Sequence, residues 1–346
     1  MRGLIALGLA TLSCNAIAGS PPEYDACELA PVPGVFFAYE AIALNDRGDI
    51  VGQGLGPTSQ PAFVWDRFRG ARDIGTLPGH WLGRGQAINN WRLIAGVSAP
   101  LPGRSSAVVW VPGIGIRRVA AEADTYQPGT ATGVNEWGQV VGGDGSVSFV
   151  WDIRHGLRQL DPVPGLEFSV AQDINNLGVV LVTGFGTSGS GSALISTRTS
   201  RQERVPLDSA FGLNDRGQVV GITSAPNGSH AGIWDRASGV RDLGEFAGGE
   251  DFGQAKGINN AGTVVGLSYA EDGYRAFVWA ASYGLRDLNT LIDSSSVPAG
   301  MHFYDAVKIN NRGWILANAV MQQAGHTYLL RPKRERATGV EEPGCL

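Results

Sequence analysis

Residues able to do chemistry are few in this chain and sit in three aromatic-rich stretches. These are T-L-P-G-H-W-L-G-R-G-Q (76–86), G-E-F-A-G-G-E-D-F-G-Q (244–254) and the stretch 289–305, which ends in H-F-Y-D. Together they supply His80, Trp81, Arg84, Glu250, Asp251, Phe252, His302, Phe303, Tyr304 and Asp305. Aromatic rings beside acids and amides suit stacking on a sugar or gripping a peptide, and they equally suit simple packing of the loops. Glycoside hydrolysis would need two carboxylates about 5–10 Å apart. Glu250, Asp251 and Asp305 are the acids available, but no spacing pairs them and no nucleophile motif accompanies them. No catalytic residue is assigned.

Other polar residues recur without clustering. His230 and His326 open copies of one strand motif where other copies have Pro61, Ser106 or Arg275, which is poor evidence for a metal ligand. Asn-Asp pairs such as Asn45-Asp46 and Asn214-Asp215 offer about two oxygens each, whereas Ca²⁺ takes six to eight. Neither a metal nor a cofactor is expected. The Arg-Asp pairs at 72–73, 241–242 and 286–287 are adjacent in strands, so their side chains face opposite sides and point to interblade or cross-strand pairing.

The element that must position all of these residues is a phrase repeated seven times. It reads A-L-N-D-R-G-D-I-V-G at Asn45, A-I-N-N-W-R-L-I-A-G at Asn89 and G-V-N-E-W-G-Q-V-V-G at Asn135, and it recurs at Asn175, Asn214, Asn259 and Asn310. Successive copies lie 44, 46, 40, 39, 45 and 51 residues apart. Periods of this size mark stacked or radially arranged units. The N-x-x-G spacing is turn chemistry, with Asn bonding its own backbone and Gly taking the left-handed position. Fifty glycines, about 14% of 346 residues and twice the usual share, fit a chain with many tight turns.

Each copy divides into four short strands. In the sixth they are 254–259, 263–268, 275–279 (R-A-F-V-W) and 284–288 (G-L-R-D-L). The third strand recurs ending at Trp65, Trp110, Trp151 and Trp234, with copies four and seven departing, and the fourth recurs ending at Ile74, Val119, Leu160 and Leu243. Four strands in about 44 residues fit a propeller blade. The expected fold is all-β: a single β-propeller with seven blades of about four antiparallel strands, six or eight being the alternatives. Glu28 precedes Asn45 by 17 residues as Asp73 precedes Asn89 by 16, so the N-terminus carries a fourth strand lacking its first three. It is expected to complete the last blade, with Gly339–Glu342 as the rival fourth strand, disfavoured by Pro343.

The first eighteen residues read as a secretory signal peptide: a basic start, an apolar stretch from Leu4 to Leu12, and Ala16-Ile17-Ala18 before Gly19. A rival reading makes Cys14 a lipidated cysteine. The expected organisation is therefore 1–18 signal peptide, 19–333 propeller and 334–346 tail. An exported protein, secreted or periplasmic, retains Cys27 and Cys345, an even pair that invites a disulfide near the ring closure. No other apolar run approaches the length of about 20 needed to span a bilayer. The net charge of -5 is spread along the chain and leaves no basic stripe for nucleic acid. A monomer is expected.

The succession I-N-N-x-G-x-V-V-G-x-S, (H/R)-A-F-V-W and G-x-R-D-L-G-x-x-x-G resembles the bacterial HAF-repeat family of probable extracellular repeats, most closely over 257–288 and in all over about 300 residues. The resemblance implies export and a repeat-built propeller. It implies no activity and no site residues. Because repeated positions build the scaffold, binding residues are expected where copies differ, on a rim formed by the connections between blades. The favoured reading is an exported, non-enzymatic binding module for a glycan or an extracellular protein. The alternatives are an exported polysaccharide lyase or glycosidase and a structural surface protein.

Overall fold

A computed structural model describes residues 19–29, 37–56, 59–101, 104–119, 129–144, 146–187 and 189–333. The signal-peptide stretch with Cys14, the tail with Gly339–Glu342, and Cys345 lie outside the described residues. Among the described residues twenty-eight strands form seven four-stranded antiparallel sheets, and the chain is a seven-bladed β-propeller. Blades are numbered here from the first complete one, and strands a to d run from the axis outward. Blade 1 comprises Phe37–Leu44, Ile50–Leu55, Ala62–Asp66 and Gly70–Gly75. In blade 6, the sixth copy, the strands are Gly253–Ile258, Val264–Ala270, Gly273–Ala280 and Gly284–Asp287, within two residues of the expected bounds.

Blade 7 closes the ring as its sequence implied. Strand Tyr24–Glu28 pairs antiparallel with Ala324–Pro332, from Tyr24 opposite Pro332 to Glu28 opposite Tyr328. It thereby takes the fourth-strand place for which Gly339–Glu342 was the rival. Its free edge is covered by the long connection from blade 6: Tyr24 N–H donates to Leu291 O (2.7 Å), Asp293 N–H to Tyr24 O (2.8 Å) and Ala26 N–H to Ser296 Oγ (3.1 Å). An unpaired edge invites association with another chain, so this cover also guards the closure. Cys27, on the same strand, is buried against blade 1.

Apolar clusters lie between blades. One joins Trp314, Leu316 and Leu329 of blade 7 to Ile50, Phe63 and Trp65 of blade 1, and another joins Val220 and Ile233 of blade 5 to Val264 and Phe277 of blade 6. The strand-c phrase F-V-W therefore alternates between neighbours, as a pleat demands. Each a–b pairing carries a bulge, between Ala41 and Ala43 in blade 1 and between Ala255 and Gly257 in blade 6, for example. The glycine of the V-V-G phrase sits opposite. A Cβ at Gly52 would lie 1.8 Å from Glu40 O, so no side chain fits there.

The repeated Asn does more than shape a turn. In every copy its Oδ1 accepts the N–H groups two and four residues on, for instance Arg47 (3.0 Å) and Asp49 (2.9 Å) for Asn45. Its Nδ2 donates to the backbone carbonyl of the next blade's Asn. These links run Asn45 to Asn89 (3.0 Å), Asn89 to Asn135 (3.0 Å), Asn135 to Asn175 (3.1 Å), Asn175 to Asn214 (3.0 Å), Asn214 to Asn259 (3.0 Å), Asn259 to Asn310 (3.1 Å) and Asn310 back to Asn45 (2.9 Å). All seven side chains are buried, at 3–5% exposure, so an unmet hydrogen bond there goes uncompensated by water.

Asn259→Asp keeps the acceptor that shapes the turn and loses the donor to Asn310 O. It is expected to lower unfolding free energy by about 1–3 kcal/mol, with Asn259→Ala costing at least as much. Urea unfolding followed by tryptophan fluorescence checks this, and an Asp variant as stable as wild type would reduce the residue to its turn role.

Candidate functional site

The two rims of the ring differ in construction. The b–c hairpins and the d-to-a connections share one rim, as the bridges Gln60 to Leu82 and Ser229 to Phe252 show. The a–b turns holding the asparagines share the other rim with the c–d turns. The expected binding residues belong to the connections of the first rim, but they do not converge on one site. His80 Nδ1 lies 3.0 Å from Ser98 Oγ, and burial lowers its pKa. Trp81 is held by its backbone to Gln60 and Ala99. Arg84 pairs with Glu40 (2.7 Å) and Asp305 with Lys256 (2.9 Å), linking neighbouring innermost strands. Phe303 is fully buried against Tyr328. Tyr304 is half-buried, and burial raises its pKa. His302 approaches Tyr274 O at 2.8 Å, and Tyr274 meets Phe252 edge-on with centroids 6.1 Å apart. Glu250 is exposed, with its carbonyl accepting from Phe252 N–H. Period and loop length locate a connection, and several of these side chains are taken up by packing and by pairs across blades.

A groove of about 470 Å³ lies on the other rim, between blades 7 and 1, and holds none of those residues. Trp65 and Trp314 line it as buried residues, while Phe68 on the c–d turn of blade 1 is 71% exposed. Five arginines line it, Arg47, Arg67, Arg92, Arg312 and Arg331, against three carboxylates, Glu28, Asp49 and Asp66. The carboxylates are already engaged. Asp49 receives Arg92 through two bonds (2.9 and 2.6 Å), Asp66 receives Arg72 (2.7 Å), and Glu28 lies 2.7 Å from His326 Nδ1. Arg67 stands over the Phe68 ring at 4.7 Å, and Arg312 and Arg331 flank Trp314 at 5.7 and 6.0 Å. The result is a cationic, aromatic concavity on a protein of net negative charge.

Departures from the repeat build this groove. Where six copies place a glycine at positive φ, the second has Arg92 at φ 62°, and its guanidinium reaches across to blade 1. Left-handed backbone at a non-glycine residue is strained and is often kept for function. Gly48 packs on the other partner, since a Cβ there would lie 2.5 Å from the Trp314 ring. Sequence reading passed over these residues because they sit inside the repeat. The signal available was the missing glycine of N-N-W-R and the composition of the c–d turn R-F-R after Trp65-Asp66, which is of ordinary length.

At the axis the residue after each ring asparagine forms a second circle. The side chains of Asn90, Glu136, Asn176, Asp215, Asn260, Asn311 and Asp46 each accept the corresponding N–H of the preceding blade. Asp215 also receives amide N–H from Asn176 (3.0 Å) and Asn260 (2.7 Å). Burial, and then repulsion from Asp46 and Asp215, raises the pKa of Glu136. The Arg-Asp pairs behave as expected of cross-strand partners: Arg72 bonds Asp66, and Asp287 bonds Arg275. Arg241 stacks on Trp279 of the next blade at 5.0 Å.

No known family profile and no curated protein matches the chain. Among solved structures it is similar to a streptogramin B lyase (TM-score 0.54, 10% identity, covering 89% of this chain and 98% of that one). It is similar also to a virginiamycin B lyase from Staphylococcus aureus (TM-score 0.54, 8% identity, 89% and 99% covered). Identities this low show the propeller fold alone. The match to TolB from Acinetobacter baumannii spans about half of that chain, 51%, at a TM-score of 0.43 and 14% identity. No helix among the described residues is long and apolar enough to cross a membrane.

Two outcomes are expected from this geometry. Gly48→Ala meets both a positive φ of 85° and the Trp314 ring, so it should cost about 1–3 kcal/mol in urea melts and shift the tryptophan emission. Glu136 has a raised pKa, so its folded form binds protons more readily than its unfolded form, and stability from this group is present in acid and lost as pH rises through the folded pKa. Glu136→Gln should therefore be more stable than wild type at neutral pH, and the difference should vanish in melts below the carboxylate range.

Proposed function

We propose that the chain is an exported, non-catalytic binding module whose groove between blades 7 and 1 takes an acidic glycan, one carrying uronic-acid carboxylates. The single observation behind this reading is one concavity lined by five arginines, of which Arg92 is held by Asp49, beside the exposed Phe68 ring and two buried indoles. Arginine recognises carboxylates through paired donors, and aromatic faces stack on sugar rings. A glycosidase there would need two carboxylates free to act, and Asp49, Asp66 and Glu28 are all engaged by cations or histidine, which supports binding over hydrolysis. Titration calorimetry with oligouronates and matched neutral oligosaccharides tests it. Phe68→Ala and Arg312→Ala alter exposed groups and should each weaken oligouronate binding about five- to thirtyfold, with affinity falling as salt is raised. Equal affinity for neutral sugars, or binding unmoved by either change, would overturn the assignment.

Export, cleavage before Gly19 and membership of the HAF-repeat family belong to the same proposal, as does a disulfide between Cys27 and Cys345. The C-terminal strand ends at Pro332 beside the strand that carries Cys27, and twelve residues lie between Pro332 and Cys345, enough chain to return. A bridge closing so long a loop contributes about 5–6 kcal/mol on the chain-entropy view. Non-reducing peptide mapping of the protein purified from the culture medium or periplasm should find the Cys27–Cys345 peptide. Cys27→Ser should then melt at a lower temperature than oxidised wild type. Two alkylatable thiols in the native exported protein would exclude the bridge.

A further inference from the structure

The first rim holds a cluster that the groove reading does not use. His230 is the third residue of strand c of blade 5 (Gly228–Asp235), and its Nδ1 lies 2.7 Å from Asp242 Oδ2 on strand d (Gly239–Asp242). The carboxylate can only accept, so this contact places the proton of the neutral ring on Nδ1 and leaves the Nε2 lone pair free. Nε2 is shielded from solvent and makes no hydrogen bond. It faces Glu245 Oε2 at 3.5 Å, and one ligand atom each from His230, Glu245 and Asp251 lie within 4.8 Å of one another. The lone pair and two carboxylates meet with no donor among them, His230 and Asp251 partly buried and Glu245 exposed. A bound cation would satisfy all three.

We propose that His230 Nε2, Glu245 and Asp251 form a site for a divalent cation of the zinc class. Zinc binds imidazole nitrogen and carboxylate oxygen at about 2.0–2.2 Å, which in a tetrahedron sets neighbouring ligand atoms about 3.4 Å apart. The His230–Glu245 separation of 3.5 Å already matches. Asp242 supplies the carboxylate behind the histidine that metal-bound imidazoles commonly have. The backbone of the third ligand is anchored, because Ser229 N–H donates to Asp251 O at 2.9 Å and ties the connection 244–254 to the hairpin beside His230. Three protein ligands leave a fourth position for water or an oxygen ligand.

Blade 7 provides an internal control. His326 Nδ1 lies 2.7 Å from Glu28, which occupies the register place of Asp242, and its Nε2 is likewise buried without a hydrogen bond. The residues after Glu28, L-A-P-V-P-G-V-F, contain no acid, whereas those after Asp242 contain Glu245 and Asp251. In blade 6 Arg275 stands at the histidine's place and bonds Asp287 and Asp272 directly, filling with a guanidinium the role that a metal would play in blade 5.

The test is competition for Zn²⁺ against a chromophoric chelator on the untagged mature chain at neutral pH, with Co²⁺ as a spectroscopic probe. One ion per chain and visible d–d bands of a tetrahedral nitrogen–oxygen site are expected. Glu245→Gln and Asp251→Asn, which retain shape, should abolish stoichiometric uptake, and Asp242→Asn should weaken it about ten- to hundredfold. His326→Ala should leave it unchanged, and circular dichroism melts verify that each variant is folded. Failure of the wild type to bind one equivalent would overturn the site and leave a protonated His230 as the cluster's resolution. Uptake lost equally in His326→Ala, or retained in the Glu245 and Asp251 variants, would also overturn it. Oligouronate binding by the opposite rim is read separately, so its failure does not bear on this result.

Discussion

A closed circle of asparagine side chains holds the axis of this protein. Each amide performs two tasks with its two ends: the oxygen folds its own turn, and the nitrogen seizes the next blade's carbonyl. An ionised aspartate cannot do both, because the turn takes an acceptor and the neighbouring carbonyl demands a donor. A blade rotated or shifted by one residue would leave a buried amide unmet, so blade spacing and blade number are linked through the circle. The second circle of accepting side chains behind it ties successive turns again. Differentiated grooves can then form farther out without loosening the centre.

Much of this architecture was legible. The period of the phrase, the four strand motifs and the orphan strand before Asn45 specified seven blades and their closure, and each strand motif landed within a few residues of its expected bounds. The interblade bond of the asparagine was not read, although one clue was present. All seven copies use Asn, although a turn alone accepts Asp as well. A turn is local and visible in a short window. A bond spanning 39 to 51 residues is visible only when the copies are set in a ring.

The site was less legible for the same reason. Loop length pointed to the connections between blades, and Arg84, Phe303 and Asp305 proved to be absorbed into pairing and packing there. The long stretch 289–305 serves in large part to cover the edge strand at the closure. The arginine-rich groove comes instead from small breaks in the repeat, such as Arg92 in a glycine's place and Phe68 on an ordinary turn. Its two walls, blades 7 and 1, are the pair farthest apart in sequence, so no linear window contains it.

The closing strand has a consequence for how the molecule comes into being. Among the described residues Tyr24–Glu28 is the first strand in chain order and its partner Ala324–Pro332 the last, so the pairing waits until everything between them has been made. Blades in the middle of the chain have all four strands in one continuous stretch and can form locally, but blade 7 and the asparagine circle cannot be completed until the two ends meet. A nascent or threading chain would therefore remain an open arc, never a finished ring. Closure is thus a single late commitment that needs both ends of the ring at once.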